Sequence, residues 1–406
     1  MKIFNLITGR NIAAFLLVLF CIQYIPIESR NGVSYLKLAV SCLCPFQIVI
    51  HEPFVLLKYS FKISKALVYF GAYYIVVIIV ANFHPSTLRW STILFLFSFI
   101  ITYITYYNLV VIERVFTLDF YILLLKWLLS LLFFVLIIQQ CVLLAGIVIF
   151  PVINLVQDLS RGIGANSLTY EPSTFALVCS FSYLSLLRLY ELKAGHKLSF
   201  REVFFYMKKT TYMFLWCMLT MGSASAFIGL AIIAMYFLQK KNRVAAIIIL
   251  IIAIMTFLYA DFEQLNRARN SVMAFLSLSS ENVMKADGSA AARIIPVINT
   301  LTRLDLFSIE GWIGHGVDYG MSKWIFSDRI MIGGIADYGF LSFLVMLVGV
   351  FSCMIRRIFS LETLMWCVLG LATLANIPFH WGLMMIFTGV RYFQIEVEDG
   401  CIDNNS

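Results

Sequence analysis

The chain has 406 residues, of which 61% are hydrophobic and only 13% are charged. Soluble domains contain about 45–50% apolar and about 25% charged residues, so this composition excludes an ordinary soluble protein. The formal net charge of +8 does not indicate a nucleic-acid-binding protein, because most of the excess lies in short loops between apolar segments.

Continuous apolar runs follow one another along the chain, which is typical of membrane helices and not of barrel strands. The runs are Ile12–Ile27, Val33–Ile50, Ala66–Phe83, Trp90–Ile112, Phe120–Phe150, Ser173–Tyr190, Val203–Met221, Ala224–Leu238, Val244–Tyr259, Ile330–Ile355 and Leu361–Val390. Asn376-Ile377-Pro378 interrupts the last run, and proline breaks or kinks a helix. Since a spanning helix needs about 20 residues, we expect an all-α polytopic membrane protein of about 11–12 transmembrane helices, as one domain over 1–406.

The basic residues assign sides to these helices, because Lys and Arg mark the cytoplasmic loops. The first run shows no cleavage site and is read as an uncleaved helix. One set of alternate loops collects Lys2, Arg10, Lys58, Lys62, Lys65, Arg114, Lys193, Lys197, Arg201, Lys208, Lys209, Lys240, Lys241, Arg243, Arg356 and Arg357. We therefore expect both termini in the cytoplasm, with the loops 151–171 and 261–329 on the outer side.

The loop 261–329 is long and polar, and such loops are uncommon unless they serve a function. Its charges nearly balance, which argues against a polybasic lipid tether. Apolar residues recur at helical spacing within it and predict an amphipathic helix. These residues are Ile294, Val297, Ile298, Leu301 and Leu304.

The nine cysteines give no sign of a disulfide framework or a metal site. Eight lie in apolar runs, the ninth lies in the C-terminal tail, and none lies in 261–329. No zinc spacing such as HExxH occurs either. We expect no metal and no cofactor.

Two residues of the shorter loop are candidates for chemistry. Glu171 precedes Pro172 at the start of a helix, where a carboxylate can cap the helix or can bind sugar hydroxyls and act as a base. Arg161 opens the sequence Arg161-Gly-Ile-Gly164, which is too short to indicate a nucleotide site. Both interpretations of Glu171 remain open on sequence alone.

The longer loop holds the other candidates. Arg293 follows three alanines, and its guanidinium suits phosphate unless it lies on a solvated face or in a salt bridge. His315 lies among glycines, and an imidazole can accept a proton, so it is either a surface turn residue or a base. Asp318 could orient it, and the flat rings of Trp312 and Tyr319 suit sugar stacking. His84 and His380 fall near the outer face and are secondary candidates.

The order of these features resembles the bacterial O-antigen polymerases (Wzy-type), within the group that includes the O-antigen ligases. The resemblance covers roughly 161–351. It rests on Glu171-Pro172-Ser173, Ser223-x-Ser225, Arg293, Gly314-His315-Gly316 and Asp337-Tyr338-Gly339-Phe340-Leu341, in that order.

The resemblance implies a fold of the GT-C glycosyltransferase type in the bacterial inner membrane, with both loops periplasmic. It also implies metal-independent polymerisation of undecaprenyl-pyrophosphate-linked repeat units. In this interpretation Arg293 and Arg161 bind the pyrophosphate, His315 or Glu171 is the base, and Trp312, Asp318 and Tyr319 contact sugar. The implied partners are lipid-linked glycans, membrane lipids, a chain-length-regulating copolymerase and a flippase.

Two alternatives remain. Ligases of the group tend to carry a His-Asn pair at the end of the large loop, and residues 328–334 contain none, which favours a polymerase. A flippase or secondary transporter would need polar groups near mid-membrane and often related halves. Here the charges cluster at helix ends and in the outer loop, and the halves do not match.

Overall fold

The computed structural model describes residues 2–23, 35–45, 64–146, 165–221, 223–238, 304–317, 334–370 and 378–400, with the isolated residues 255, 259, 266, 269 and 319. No strand occurs among these residues, so the all-α prediction is confirmed for them. Five of the described helices are long and apolar enough to cross a membrane. Together with the composition, they make this a membrane-embedded protein; the total of about 11–12 spans stays a prediction.

We number the described helices in chain order. They are α1 (Lys2–Cys21), α2 (Tyr35–Pro45), α3 (Lys65–Phe83), α4 (Trp90–Tyr107), α5 (Leu118–Leu144), α6 (Pro172–Ala194), α7 (Phe200–Thr220), α8 (Ala224–Tyr236), α9 (Ile309–Ile313), α10 (Ile335–Cys353), α11 (Leu361–Met365) and α12 (Pro378–Glu398). A π-helical turn extends α4 over Asn108–Ile112, and another extends α11 over Trp366–Gly370.

Proline and glycine fix several helix ends. α6 begins at Pro172, whose locked φ suits the first helical turn, and it is followed by Gly195 at a φ of 70°. α12 is described from Pro378 onward, so the break predicted at Asn376-Ile377-Pro378 falls at the edge of the described residues and stays a prediction. Ser199 precedes α7 and accepts a hydrogen bond from the backbone N–H of Glu202 at 3.3 Å, which satisfies an otherwise unpaired donor.

The chain forms two compact units. Unit 1 consists of Met1–Leu124, Pro296–Ile358 and Gly370–Ser406, and unit 2 consists of Leu125–Ile295 and Phe359–Leu369. The expectation of one membrane domain over 1–406 stays a prediction.

In unit 1, α3 and α10 run antiparallel. Gly349 near the end of α10 lies against Phe70 near the start of α3, and a side chain at Gly349 would meet the Phe70 ring at 3.1 Å. At the opposite end, the residues after α3 contact the segment that packs on the first turn of α10. The loop segment around His315 therefore lies at one end of this helix pair.

Basic side chains gather at the other end of unit 1. Arg391 of α12 donates to the carbonyl oxygens of Phe351 and Ile355, at 2.9 and 2.6 Å, and so satisfies acceptors at the end of α10. Arg114 pairs with Glu396 at 3.0 Å at the same end. Arg391 and Arg114 therefore lie at the end of unit 1 away from His315, whereas Arg89 precedes α4 in the connection that follows α3.

In unit 2, an ion pair ties α11 to α6. The guanidinium of Arg188 donates to both carboxylate oxygens of Glu362, at 2.7 and 3.3 Å, and to Glu191 at 2.8 Å. The Glu362 side chain is only 9% exposed. A buried carboxylate depends on its partner, because desolvation without compensation is costly.

We expect Arg188→Leu to destabilise the protein by about 3–5 kcal/mol, since it leaves the Glu362 carboxylate buried and unpaired. The double variant Arg188→Leu/Glu362→Leu should recover much of this loss, because neither charge is then buried alone. Thermal unfolding in detergent measures both. An unchanged midpoint for the single variant would contradict the role of the pair.

Candidate functional site

The site is built on a break inside α10. Gly339 has φ 81° and ψ 169°, which interrupts the helix after its first turn. Only glycine reaches such a conformation without strain. The break leaves the first turn, around Ala336 and Asp337, with carbonyl groups that can accept hydrogen bonds from elsewhere.

The turn Gly314-His315-Gly316 packs against this first turn of α10 and donates hydrogen bonds to its carbonyl groups. The backbone N–H of His315 donates to the Ala336 carbonyl at 2.8 Å, and the N–H of Gly316 donates to the Asp337 carbonyl at 2.9 Å. The main chain of His315 is thereby fixed to the first turn of α10, although 20 residues separate the two in sequence.

Glycine is required on both sides of this contact, because two backbones approach each other directly. A Cβ at Gly314 would lie 2.5 Å from the backbone N of Gly339, and a Cβ at Gly339 would overlap the carbonyl of Trp312. Real Cβ atoms do not approach so closely. One contact therefore explains why both Gly314 and Gly339 are glycine.

The connection between α3 and α4 covers the other side of the turn. The ring Nε2 of His84 lies 3.1 Å from the carbonyl oxygen of Gly314. A Cβ at Gly316 would lie 2.5 Å from the Cβ of His84 and would overlap the Thr87 hydroxyl. His84, a secondary candidate from sequence, therefore belongs to the same site as His315.

One aromatic ring contacts His315, and a second lies three residues before it in sequence. The rings of His315 and Tyr319 lie 4.5 Å apart at 32°. Trp312 donates from its indole N–H to the Leu306 carbonyl at 2.8 Å, packs edge-on against Phe340, and stays 40% exposed. Trp312 and His315 are both partly exposed, so the indole face and the imidazole are each accessible from solvent.

Glu171 lies in unit 2, where it precedes α6. Its carboxylate accepts a hydrogen bond from the Ser173 hydroxyl at 2.9 Å. The Thr174 hydroxyl bonds the Glu171 backbone, accepting from its N–H at 3.3 Å and donating to its carbonyl at 2.8 Å. The geometry is that of a helix cap, and the side chain remains exposed, so a second role as a base stays a prediction.

The buried loop 165–169 precedes Glu171, and its contacts were not predicted from the sequence. Gln139 of α5 donates to the Ser167 carbonyl at 2.9 Å and accepts from the Ser167 N–H at 2.7 Å. Ser167 has a φ of 51° and also donates to the Leu132 carbonyl at 2.7 Å. The signal that could have found this contact is the pair Gln139-Gln140, two amides in an otherwise apolar helix.

Three of the candidates cannot be placed in this geometry. Arg161, Arg293 and Asp318 lie outside the described residues, as does the predicted amphipathic helix of the large loop up to residue 303. Their assigned contacts with pyrophosphate and sugar stay predictions.

The structure places His380 and the serines Ser223 and Ser225 in or next to helices. His380 is the third residue of α12 and is only 1% exposed, with its ring against the edge of Trp381, so its side chain does not reach solvent. Ser223 immediately precedes α8, and Ser225 is buried to 9% exposure.

No group of three or more His, Cys, Asp or Glu side chains in the described parts of the chain could hold a metal ion. Comparisons with protein-family models, with curated proteins and with solved structures found no match for this chain. The function must therefore be argued from the residues of the site.

Gly316→Ala should destabilise the protein by about 1–3 kcal/mol, because it combines a positive φ with overlap against His84 and Thr87. Gly71→Ala is the matched control. A Cβ there meets nothing within 4 Å, and alanine in a helix gains about 1 kcal/mol over glycine. Thermal unfolding should therefore shift in opposite directions for the two variants; a shift in the same direction would refute the packing described for the turn.

Proposed function

We propose that this chain is a membrane glycosyltransferase of the O-antigen polymerase type. It would join undecaprenyl-pyrophosphate-linked oligosaccharide repeat units on the periplasmic face of the bacterial inner membrane. The observation that supports this most is the glycine-bounded turn that fixes His315 at one end of a helical unit, with Arg391 and Arg114 at the other end.

The charge distribution supports an outward-facing site. Arginines mark the cytoplasmic ends of membrane helices. In unit 1, Arg391 and Arg114 lie at the end away from His315. By this rule the His315 turn faces the periplasm, where lipid-linked glycans are elongated in the proposed reaction.

The reaction needs one proton acceptor and a cationic environment for the leaving group. A hydroxyl oxygen of the acceptor sugar forms a bond to the anomeric carbon of the donor glycan. The bond between that carbon and the pyrophosphate oxygen breaks, and undecaprenyl pyrophosphate leaves with the bonding electron pair. His315 takes the proton of the acceptor hydroxyl.

Other residues would assist in this proposal. Trp312 is exposed enough to lie against a sugar ring, and Tyr319 stacks beside His315. Arg293 and Arg161 would stabilise the negative charge that develops on the pyrophosphate. Glu171 is the alternative base, although its carboxylate already accepts a hydrogen bond from Ser173.

His315→Ala should abolish long glycan chains, because removing a general base costs about 10²–10⁴-fold in rate. The measurement is the lipopolysaccharide banding of a deletion strain complemented with each variant at equal membrane level. His196→Ala is the control, since that histidine lies between α6 and α7 in unit 2.

The banding pattern also separates the alternatives. Lipopolysaccharide with a single repeat unit in the deletion strain supports a polymerase, whereas lipopolysaccharide without any repeat unit indicates a ligase. Normal ladders from the His315→Ala strain would overturn the assignment of His315 and shift the base to Glu171.

Turnover by the purified protein should be unchanged after EDTA treatment, because the leaving group of the donor is already a pyrophosphate and the proposed stabilising charges are arginines. The measurement compares initial rates before and after chelation and after readdition of magnesium. A large loss that magnesium restores would refute the metal-independent mechanism.

A further inference from the structure

His84 is the side chain that reaches the His315 turn from the opposite side to α10. It lies directly after α3 and before the short 3-10 turn Pro85–Thr87. The hydroxyl of Thr87 donates to the His84 carbonyl at 3.2 Å, so the residue is held by its own connection. Its ring then crosses to the loop segment 230 positions later.

The contact of the His84 ring with the Gly314 carbonyl shows that the Nε2 atom carries a proton. The carbonyl oxygen of Gly314 can only accept, so the Nε2 atom 3.1 Å away must carry the proton and donate it. His84 is therefore either the Nε2-protonated neutral tautomer or the imidazolium ion. In either state it supplies a hydrogen bond to the peptide group that precedes His315.

Three consecutive backbone groups around His315 are thus fixed from two directions. His84 holds the Gly314 carbonyl, while α10 holds the N–H groups of His315 and Gly316. With the peptide groups on either side fixed, the direction in which the His315 side chain leaves the backbone is fixed as well. Small errors in such a direction are costly, because proton transfer needs a short contact.

Packing limits the turn to this arrangement. Gly316 has a φ of 103°, and a Cβ there would lie 2.5 Å from the Cβ of His84. His84 and the turn are therefore in van der Waals contact in addition to their hydrogen bond. A side chain without a donor at the Nε2 position would keep the packing and lose the bond.

We propose that His84 is a positioning residue for the base His315, acting through the Gly314 carbonyl and without touching the substrate. This inference rests on the proposed function, in which His315 accepts the proton of the acceptor hydroxyl. His84 would then affect the rate of the chemical step more than the binding of the lipid-linked glycan.

Two amides provide a matched pair of variants. In His84→Gln the side-chain N–H₂ can occupy the position of Nε2 and donate to the Gly314 carbonyl, whereas the shorter side chain in His84→Asn cannot reach it. The two variants are alike in polarity and differ in reach. His196→Asn serves as a control for replacing a histidine in unit 2.

The kinetic test uses the purified full-length protein with lipid-linked repeat units and measures kcat and KM separately. We expect His84→Asn to lower kcat by about 10-fold or more, since misplacement by about 1 Å can cost 10²-fold, with KM little changed. His84→Gln should restore most of kcat. Equal kcat for wild type and His84→Asn, or equal loss in both variants, would overturn the proposal.

Hydrogen exchange provides a test that does not depend on activity. The amides of His315 and Gly316 should exchange faster in His84→Asn than in wild type or His84→Gln, while those of α3 and α4 stay unchanged. Unaltered exchange at the turn in His84→Asn would refute the positioning role. A general increase across α3 and α4 would show that His84 serves folding and would also refute it.

The roles proposed for His315 and for His84 can be tested independently. A fully active His315→Ala protein overturns the proposed role of His315 in catalysis. An inactive His315→Ala protein together with a fully active His84→Asn protein overturns only the role of His84.

Discussion

The direct contact between two backbones, the Gly314-His315-Gly316 turn and the broken first turn of α10, is the constraint on which the candidate site depends. Two N–H groups of the turn donate to the carbonyls of Ala336 and Asp337, and Gly339 leaves the space that the turn occupies. Because every group involved belongs to the main chain, the contact fixes the path of the chain and leaves the His315 side chain available.

This constraint also shows how a broken membrane helix can hold a polar segment through backbone hydrogen bonds alone. A helix that is broken near one end exposes backbone groups where it leaves the apolar layer, and a polar segment can then dock there without leaving those groups unpaired. The arginines at the far end of unit 1, including Arg391 and Arg114, are bonded to helix ends and to Glu396.

The sequence predicted the local features better than the contacts between them. Apolar runs predicted the described helices, and Pro172 marked the start of α6, because these signals act through neighbouring residues. The glycines around His315 indicated a tight turn. Their partners could not be predicted, because a contact between backbone carbonyls and N–H groups leaves no side-chain pattern. At Ser167 only one side of the contact leaves a signal, because the Gln139 amide lies in an apolar helix but binds Ser167 through its backbone.

The central claim is that this chain alone joins lipid-linked repeat units. The most direct measurement is mass spectrometry of products after the purified protein, in lipid nanodiscs, is incubated with a single undecaprenyl-pyrophosphate-linked repeat unit. The account predicts lipid-linked products of two or more repeat units, with release of one undecaprenyl pyrophosphate for each bond formed. Repeat units that remain single in the presence of folded protein, or that are transferred only to added lipid A core, would contradict it.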